Sequence, residues 1–501
     1  VSNNFNTYLL LREGADPQTL EAKFPAMIEK YLGPAVQQFI GASLEEFYKS
    51  GNKLRYYLQP LRDIHLHSDL TAEFEANGNI KYVYIFSAIA FFILLIACIN
   101  FMNLSTARSA NRAKEVGIRK VVGSDREQLI RQFLAESLFL SLIALLLALV
   151  FVELALPQFN RLAEKQLHSF YLGNWLLLAA LATITLLVGI IAGSYPAFVL
   201  SAFKPVSVLQ GKLRAGAKSQ RLRSTLVVFQ FAASVILIFG TMIVKKQLQY
   251  IQNRNLGFNK ERVIILHDAY ALDAKLEAFK NEALRHPQIV SSTVSGYLPV
   301  NSNRSDMPFW PEGKRSTNED AVSMQIWPVD ADYVKTLGME IVAGRDFSSA
   351  FGADSTSILL NEKAAHAFGF DNPVGKKVYV LQGRPDGGVE FGQTISYTVV
   401  GVIKNFHFES LKENIGALGL RLGRNRGLMS SRFKVEDGAA LIAFLENKWK
   451  EFAPDQPFAY SFLDQRFSGM YRAEQKVGNI FSIFAGLAIF TACLGLFGLA
   501  S

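Results

Sequence analysis

The sequence predicts an α-helical transmembrane bundle joined to an α+β extracytoplasmic domain. Three observations predict it. First, five apolar runs of about twenty residues are each long enough to cross a hydrocarbon core of roughly 30 Å. They are Tyr82–Leu104, Leu138–Leu156, Trp175–Leu200, Leu226–Val244 and Val477–Ala500, and within them only Glu153 is charged. A helix of a water-soluble core rarely runs so long without a polar face. Second, the long stretches outside these runs mix strand and helix signals with frequent turn residues. Third, basic residues collect in two of the short connections, as membrane orientation requires.

The loop Ser105–Ser137 holds Arg108, Arg112, Lys114, Arg119, Lys120, Arg126 and Arg131. Ser201–Ser224 holds Lys204, Lys212, Arg214, Lys218, Arg221 and Arg223, with no acids, whereas Pro157–Asn174 holds only Arg161 and Lys165. The bias places loops 105–137 and 201–224 in the cytoplasm and residues 1–81 and 245–476 outside. Lys245, Lys246 and Arg254 run against it, but long translocated domains largely ignore the rule. The net charge of +9 is therefore read as a topology signal rather than a nucleic-acid surface. Cys98 and Cys493 both fall in apolar runs, where a thiol is a small hydrophobe and reports no redox compartment.

Residues 1–81 read as the C-terminal part of a first external domain. Tyr8–Leu11 is a strand candidate, and Asp16 caps a helical stretch through Leu32 with Leu20, Phe24, Met27, Ile28 and Tyr31 on one face. Leu54–Leu58 and Asp63–His67 read as extended. His65 and His67 would then share a strand face, but with no third ligand in view surface or core histidines are the plainer reading.

Residues 82–244 form the first transmembrane unit. Asn100 and Asn103, near the cytoplasmic end of its first run, either bond a neighbouring helix or reach interfacial water, and water is the expectation. The elbow between the first two runs, Arg112 to Ser137, carries a helix start in which Ser124 caps and Glu127 returns the bond. Leu129, Ile130, Phe133 and Leu134 then share an apolar face, with Arg126, Arg131 and Gln132 turned away, and the helix runs on into Leu138–Leu156. On charge alone, a docking surface and a plain stop-transfer cluster are equal readings. Pro196 should kink or end the third span. The basic loop Lys204–Arg223 suits anionic lipid, though topology alone explains it.

Residues 245–476 form a second external domain, α+β and two-lobed. Val263–Leu266 and Tyr397–Ile403 read as strands; Asp332–Leu337, Asn361–Phe368 and Ala439–Phe452 read as helices. Turns fall at Asn301–Arg304, Pro385–Gly388 and Gly423–Gly427. His366 and His407 have no ligand spacing around them. Residues 477–501 begin a second transmembrane unit. The last stretch echoes the first, since Gly78-Asn79-Ile80 and Ala97-Cys98-Ile99 recur loosely as Gly478-Asn479-Ile480 and Ala492-Cys493-Leu494. This suggests a duplicated unit of external domain followed by membrane helices. A start at Val1 and a stop after an apolar run read as a fragment of a longer protein.

The pattern Arg112-x-Lys114-Glu115-x-Gly117-Ile118-Arg119-Lys120-x-x-Gly123, set between two membrane runs, resembles FtsX/MacB-type ABC transporter permeases. Gly344-Arg345-Asp346-Phe347 and Val399-Val400-Gly401-Val402-Ile403 resemble the MacB-like periplasmic core domain. The segment order is similar to the duplicated, eight-span members, lacking the first span, part of the first periplasmic domain and the last two spans. The resemblance implies mechanotransmission: a cytoplasmic ATPase subunit pushes the elbow, and the helices carry the movement to the periplasmic domains for export or extraction. It implies that Arg112, Lys114, Glu115, Gly117, Ile118, Arg119, Lys120 and Gly123 form or support the ATPase contact, completed by Arg126 and Phe133. The alternative within the family is a signalling or scaffold protein that activates a periplasmic hydrolase or sensor.

No G-x-x-x-x-G-K-[ST] loop occurs, so the ATPase is expected on a separate subunit and the chain itself is expected to be non-catalytic. No G-x-S-x-G or H-E-x-x-H occurs either, and no cofactor or metal is expected. Secondary transport is disfavoured because the spans carry no ionisable group at mid-depth. The implied partners are the ATPase, membrane lipid, and a periplasmic adaptor or outer-membrane protein. No nucleic acid is expected, the assembly is expected to be dimeric or pseudo-dimeric, and the implied location is the inner membrane.

Overall fold

The computed structural model describes residues 7–40, 43–49, 53–68, 70, 73, 77–107, 109–168, 173–202, 217–300, 302, 304, 306–313, 321–348, 351–383, 389–423, 427–434 and 438–500. The chain divides into two units, Val1–Gly78 with Ile251–Tyr471 and Asn79–Tyr250 with Arg472–Ser501. The first opens on short helices: α1 (Pro17–Glu21), α2 (Phe24–Tyr31), α3 (Gly33–Ile40), α4 (Leu44–Lys49) and α5 (Leu61–His67). Asp16 caps α1, accepting from the Gln18 and Thr19 amides at 3.1 and 3.2 Å. The expected single helix to Leu32 is broken near Lys23, where Pro25 opens a new first turn. Tyr8–Leu11 and Leu54–Leu58 pair with no strand among the described residues. Asp63–His67 is helical rather than extended. Two positions apart on a helix, His65 and His67 point away from each other and cannot share an ion.

The second unit holds α6 (Ile80–Ala107), α7 (Ser109–Val121), α8 (Arg126–Ala163), α9 (Trp175–Ser201) and α10 (Ala217–Asn253). Pro196 does not end α9, which continues to Ser201. Packing of the neighbouring Ala197 and Leu200 against α7 and α8 holds that last turn in place. Arg108, the side chain of Lys114, most of the basic loop Lys204–Arg223 and the expected turns at 301–304, 385–388 and 423–427 lie wholly or partly outside the described residues.

The external sheet comprises β1 (Val263–His267), β2 (Ile289–Ser295), β3 (Asp306–Pro311), β4 (Val322–Val329), β5 (Ile341–Gly344), β6 (Ser357–Asn361), β7 (Lys377–Gly383), β8 (Val389–Ile403), β9 (Leu418–Leu422), β10 (Leu428–Phe433) and β11 (Tyr460–Phe462). Its helices are α11 (Leu276–Leu284), α12 (Tyr333–Leu337), α13 (Glu362–Ala367), α14 (Ala439–Phe452) and α15 (Leu463–Gly469). One lobe is the antiparallel order β11-β1-β10-β2, with Phe279 of α11 and Leu441, Leu445 and Trp449 of α14 packed on Ile264, Leu266 and Met429. In the other, pairing runs β4-β3-β7-β8-β6-β9 and returns to β4, so the six strands close a ring with no free edge. Phe309, Met324, Ile358, Leu360, Val378, Val380 and Val399 form one core of that ring. A single residue pair, Ser295↔Val329, joins the lobes in the sheet. Val263 and Ile265 alternate with Ile264 and Leu266, and pack with Trp327, Leu359, Leu418 and Leu420 in a third core.

The last helix, α16 (Arg472–Ala500), returns to the second unit. Among the described residues, five helices of that unit are long and apolar enough to cross a membrane. Gly189 and Gly193 of α9 lie against Leu138 and Ser137 of α8, and a Cβ at 193 would come within 2.6 Å of the Ser137 side chain. Helices α6, α10 and α16 meet through Ile89, Leu237 and Ala488. Asn100 and Asn103 do not reach water here. They are 7% and 1% exposed, and Asn100 donates to the Thr491 carbonyl of α16. In apolar surroundings an amide is driven to a protein partner.

Candidate docking elbow

The elbow is a helical hairpin built from α7 and the first turns of α8. Helix α7 ends in a Schellman motif: the Ser124 N–H donates to the Arg119 carbonyl at 3.0 Å and the Gly123 N–H to the Lys120 carbonyl at 3.2 Å. This end requires the positive φ of +108° found at Gly123. Because the Ser124 amide is used this way, the cap of α8 falls one residue later than expected. Asp125 is the N-cap, and its N–H donates to the Gln128 side chain at 3.3 Å.

Apolar packing holds the two arms together. Val116, Leu129, Phe133, Ala197 and Leu200 form one buried cluster, and Gly117 is buried beside Val116. Polar bonds staple the same joint. The Arg112 guanidinium donates twice to Glu136 of α8, at 3.0 Å from Nη1 to Oε2, and lies over the Phe133 ring at 5.9 Å. Lys120 Nζ donates at 2.6 Å to the carbonyl of Ser201, the last residue of α9, which has no partner within its own helix. Arg126 Nε reaches the Ser201 hydroxyl at 3.5 Å. Arg119 pairs with Glu115 at 2.7 Å and donates to Gln132 at 2.6 Å.

The residues singled out in the sequence thus separate into two sets. Arg112, Gly117, Lys120 and Phe133 face inward and build the joint, whereas Glu115, Ile118, Arg119, Gly123 and Arg126 are exposed. Two residues that the sequence reading passed over stand out most. Val121 is 64% exposed and Val122 83%, beside Ile118 at 53%. They occupy the unspecified positions before Gly123, and their signal was the pair of β-branched residues at the end of a charged helix. Arg131 and Glu127 pair at 2.6 Å on the exposed side of α8. The hairpin therefore offers three aliphatic side chains at the tip of a stapled joint, with the Glu115–Arg119 ion pair on the same helix. No group of three metal-ligating side chains occurs among the described residues.

The model of the FtsX-like permease C-terminal domain matches residues 87–205, which contain this hairpin, and that of the MacB-like periplasmic core domain matches residues 230–426. This chain belongs to the FtsX/MacB-type ABC transporter permeases. It is 32% identical over 130 residues to the macrolide export ATP-binding/permease protein MacB of Bdellovibrio bacteriovorus, a match covering 25% of this chain and 18% of that protein. It is 33% identical over 123 residues to MacB of Escherichia coli, covering 23% of this chain and 18% of the relative. The chain thus spans less than a fifth of the length of these curated relatives. The crystal structure of the periplasmic region of MacB from Actinobacillus actinomycetemcomitans aligns over 44% of this permease and 97% of that chain, at 13% identity and a TM-score of 0.30. The FtsX/MacB-type permease is a multi-pass membrane protein with an extracytoplasmic domain.

Proposed function

We propose that this chain is the non-catalytic permease subunit of an inner-membrane ABC transporter that works by mechanotransmission. A separate cytoplasmic ATPase seats on the elbow, with Ile118, Val121 and Val122 entering an apolar recess and Glu115, Arg119 and Arg126 setting register at its rim. Hydrolysis moves the hairpin, and the helices pass that movement to the extracytoplasmic unit. There a substrate is exported or extracted without passing between the helices, with a periplasmic adaptor or outer-membrane partner receiving it.

The observation that carries this reading is the continuity of α8. It runs unbroken for 38 residues from the elbow to Ala163, a length of about 57 Å against a hydrocarbon core of about 30 Å. Its first turns are clamped to α7 by Arg112–Glu136 and to α9 through Phe133. A push on α7 therefore displaces a rod longer than the membrane is thick rather than bending a loop. The relatives' names pair a permease with ATP binding, which fits an engine beside this chain.

Val122→Asp tests the reading. A charge buried in an apolar contact should lower ATPase affinity by about 3 kcal/mol, a loss of roughly a hundredfold. Co-elution with the ATPase in detergent and permease-dependent ATP turnover should both vanish while the permease stays folded. An unchanged complex would leave residues 112–123 as a topology signal. Intact docking with a bound periplasmic hydrolase and no cargo would favour the signalling alternative.

A further inference from the structure

The internal repeat sharpens at the level of α6 and α16. In one gap-free register Ile85-Phe86-Ser87 falls on Ile480-Phe481-Ser482, and Ala97-Cys98 falls on Ala492-Cys493. The Gly-Asn-Ile triplets that first suggest the repeat are not equivalent positions in this register. The two helices also touch, and they touch at equivalent positions. The Phe86 and Phe481 rings lie 5.6 Å apart. Ile93 packs in the same cluster as its counterpart, the fully buried Ala488. Asn100 lies directly on its counterpart, Gly495. These contacts recur at heptad steps and in the same order along both helices, so the pair is parallel and keeps one seam. Self-opposed equivalents are what a two-fold axis between two copies of a unit produces, here within one chain.

Chemistry breaks that two-fold at one end. Asn100 and Asn103 of α6 correspond to Gly495 and Gly498 of α16. The Asn100 amide fills the space where a side chain at 495 would start, and a Cβ there would overlap it. Its Nδ2 donates to the Thr491 carbonyl, and Gln230 of α10 donates to the adjacent Ala492 carbonyl at 3.3 Å. Small residues let helix backbones approach closely in a membrane, and an amide there is satisfied only by a partner so approached.

We propose that Asn100 and Gly495 act as a polar key and its slot, which give α6 one membrane partner, α16 of its own chain, and reject α6 of a second copy. Two α6 helices at this separation would oppose amide to amide where only one fits. Two α16 helices would oppose glycine to glycine, with no side-chain donor between them. Specificity of this kind combines an attractive contact with a repulsive alternative. The membrane core is thereby a pseudo-dimer whose halves are not interchangeable.

Disulfide trapping in membrane vesicles tests this, using the full-length protein with Cys98→Ala and Cys493→Ala and a protease site inserted in the second external segment. With Phe86→Cys and Phe481→Cys together, the two fragments should stay joined after cleavage. Phe86→Cys alone should link few chains to each other. Gly495→Leu should cut the intrachain product about three- to tenfold. Exchanging the pair, as Asn100→Gly with Gly495→Asn, should restore most of it, which separates lost pairing from lost folding. The proposal is overturned if Phe86→Cys alone links two chains as efficiently as the pair links one. An unchanged yield in Gly495→Leu, or an exchange that restores nothing, overturns it as well.

Discussion

Arg345 sits in a motif that the sequence offered as a mark of kinship, and the structure gives the motif a physical reason. Its guanidinium donates to both oxygens of the fully buried Asp354 at 2.7 and 2.8 Å, and Asp354 also accepts from the Ser348 amide at 2.8 Å. Gly344 has φ +76° and pairs with Gly401 in the β5–β8 ladder, where a Cβ on either would strike the facing backbone. The two periplasmic motifs are therefore one strand crossing and its ion pair. The Arg345 guanidinium, with the Ser348 amide, holds the Asp354 carboxyl below the ordinary carboxylate range despite its burial. A depressed folded value contributes stability in full above the unfolded value of about 3.9, and that stability is lost as pH falls through the folded value. Arg345→Ala should cost about 2–3 kcal/mol at neutral pH, the worth of charge-assisted bonds to a carboxylate left buried. Urea unfolding followed by tryptophan fluorescence should show that gap closing below about pH 4; a gap constant with pH would refute the assignment.

The α7–α8 hairpin shows how far local pattern reaches. Its apolar face, its continuation into the span and a helix start just after Gly123 were legible, because each rests on spacing within a few residues. The cap was misplaced by one residue, since the Schellman bond that takes the Ser124 amide depends on where α7 ends. Gly123 is open to solvent, so Gly123→Ala meets no steric obstacle and its whole cost is conformational. Forcing a Cβ into that φ should cost about 1–2 kcal/mol. Hydrogen exchange should then speed up at residues 118–126 and stay unchanged in α9; unchanged protection at 118–126 would mean the turn has a second conformation at no cost. The two prolines also differ in context. Pro25 breaks a short exposed helix, whereas Pro196 sits inside a buried last turn that its neighbours hold.

The joints of the membrane unit are polar pairs at both ends of α8. At one end Arg112 and Glu136 tie α7 to α8; at the other Glu164, just past Ala163, pairs with Lys476 of α16 at 2.8 Å. If the elbow passes on a push, Arg112→Ala should leave ATPase binding intact and still lower coupled transport, by up to about fivefold for a half-exposed pair worth about 1 kcal/mol. The exchange Arg112→Glu with Glu136→Arg should recover part of that loss. Equal loss of binding and coupling in Arg112→Ala would place Arg112 in the contact itself.

Five spans, a basic elbow and an α+β external region follow from composition and periodicity, because helix rise and bilayer thickness act on contiguous residues. The same local rules placed His65 and His67 on a strand and Asn100 in water, and both were wrong. Helix or strand for a short segment is decided by whether a partner exists, and the environment of an amide by which helix lies against it. The closed ring of six strands, the outward aspect of Val121 and Val122, and the seating of Asn100 on Gly495 all join residues remote in the chain. Such pairings rest on how closely two backbones approach, a quantity that no stretch of sequence carries alone.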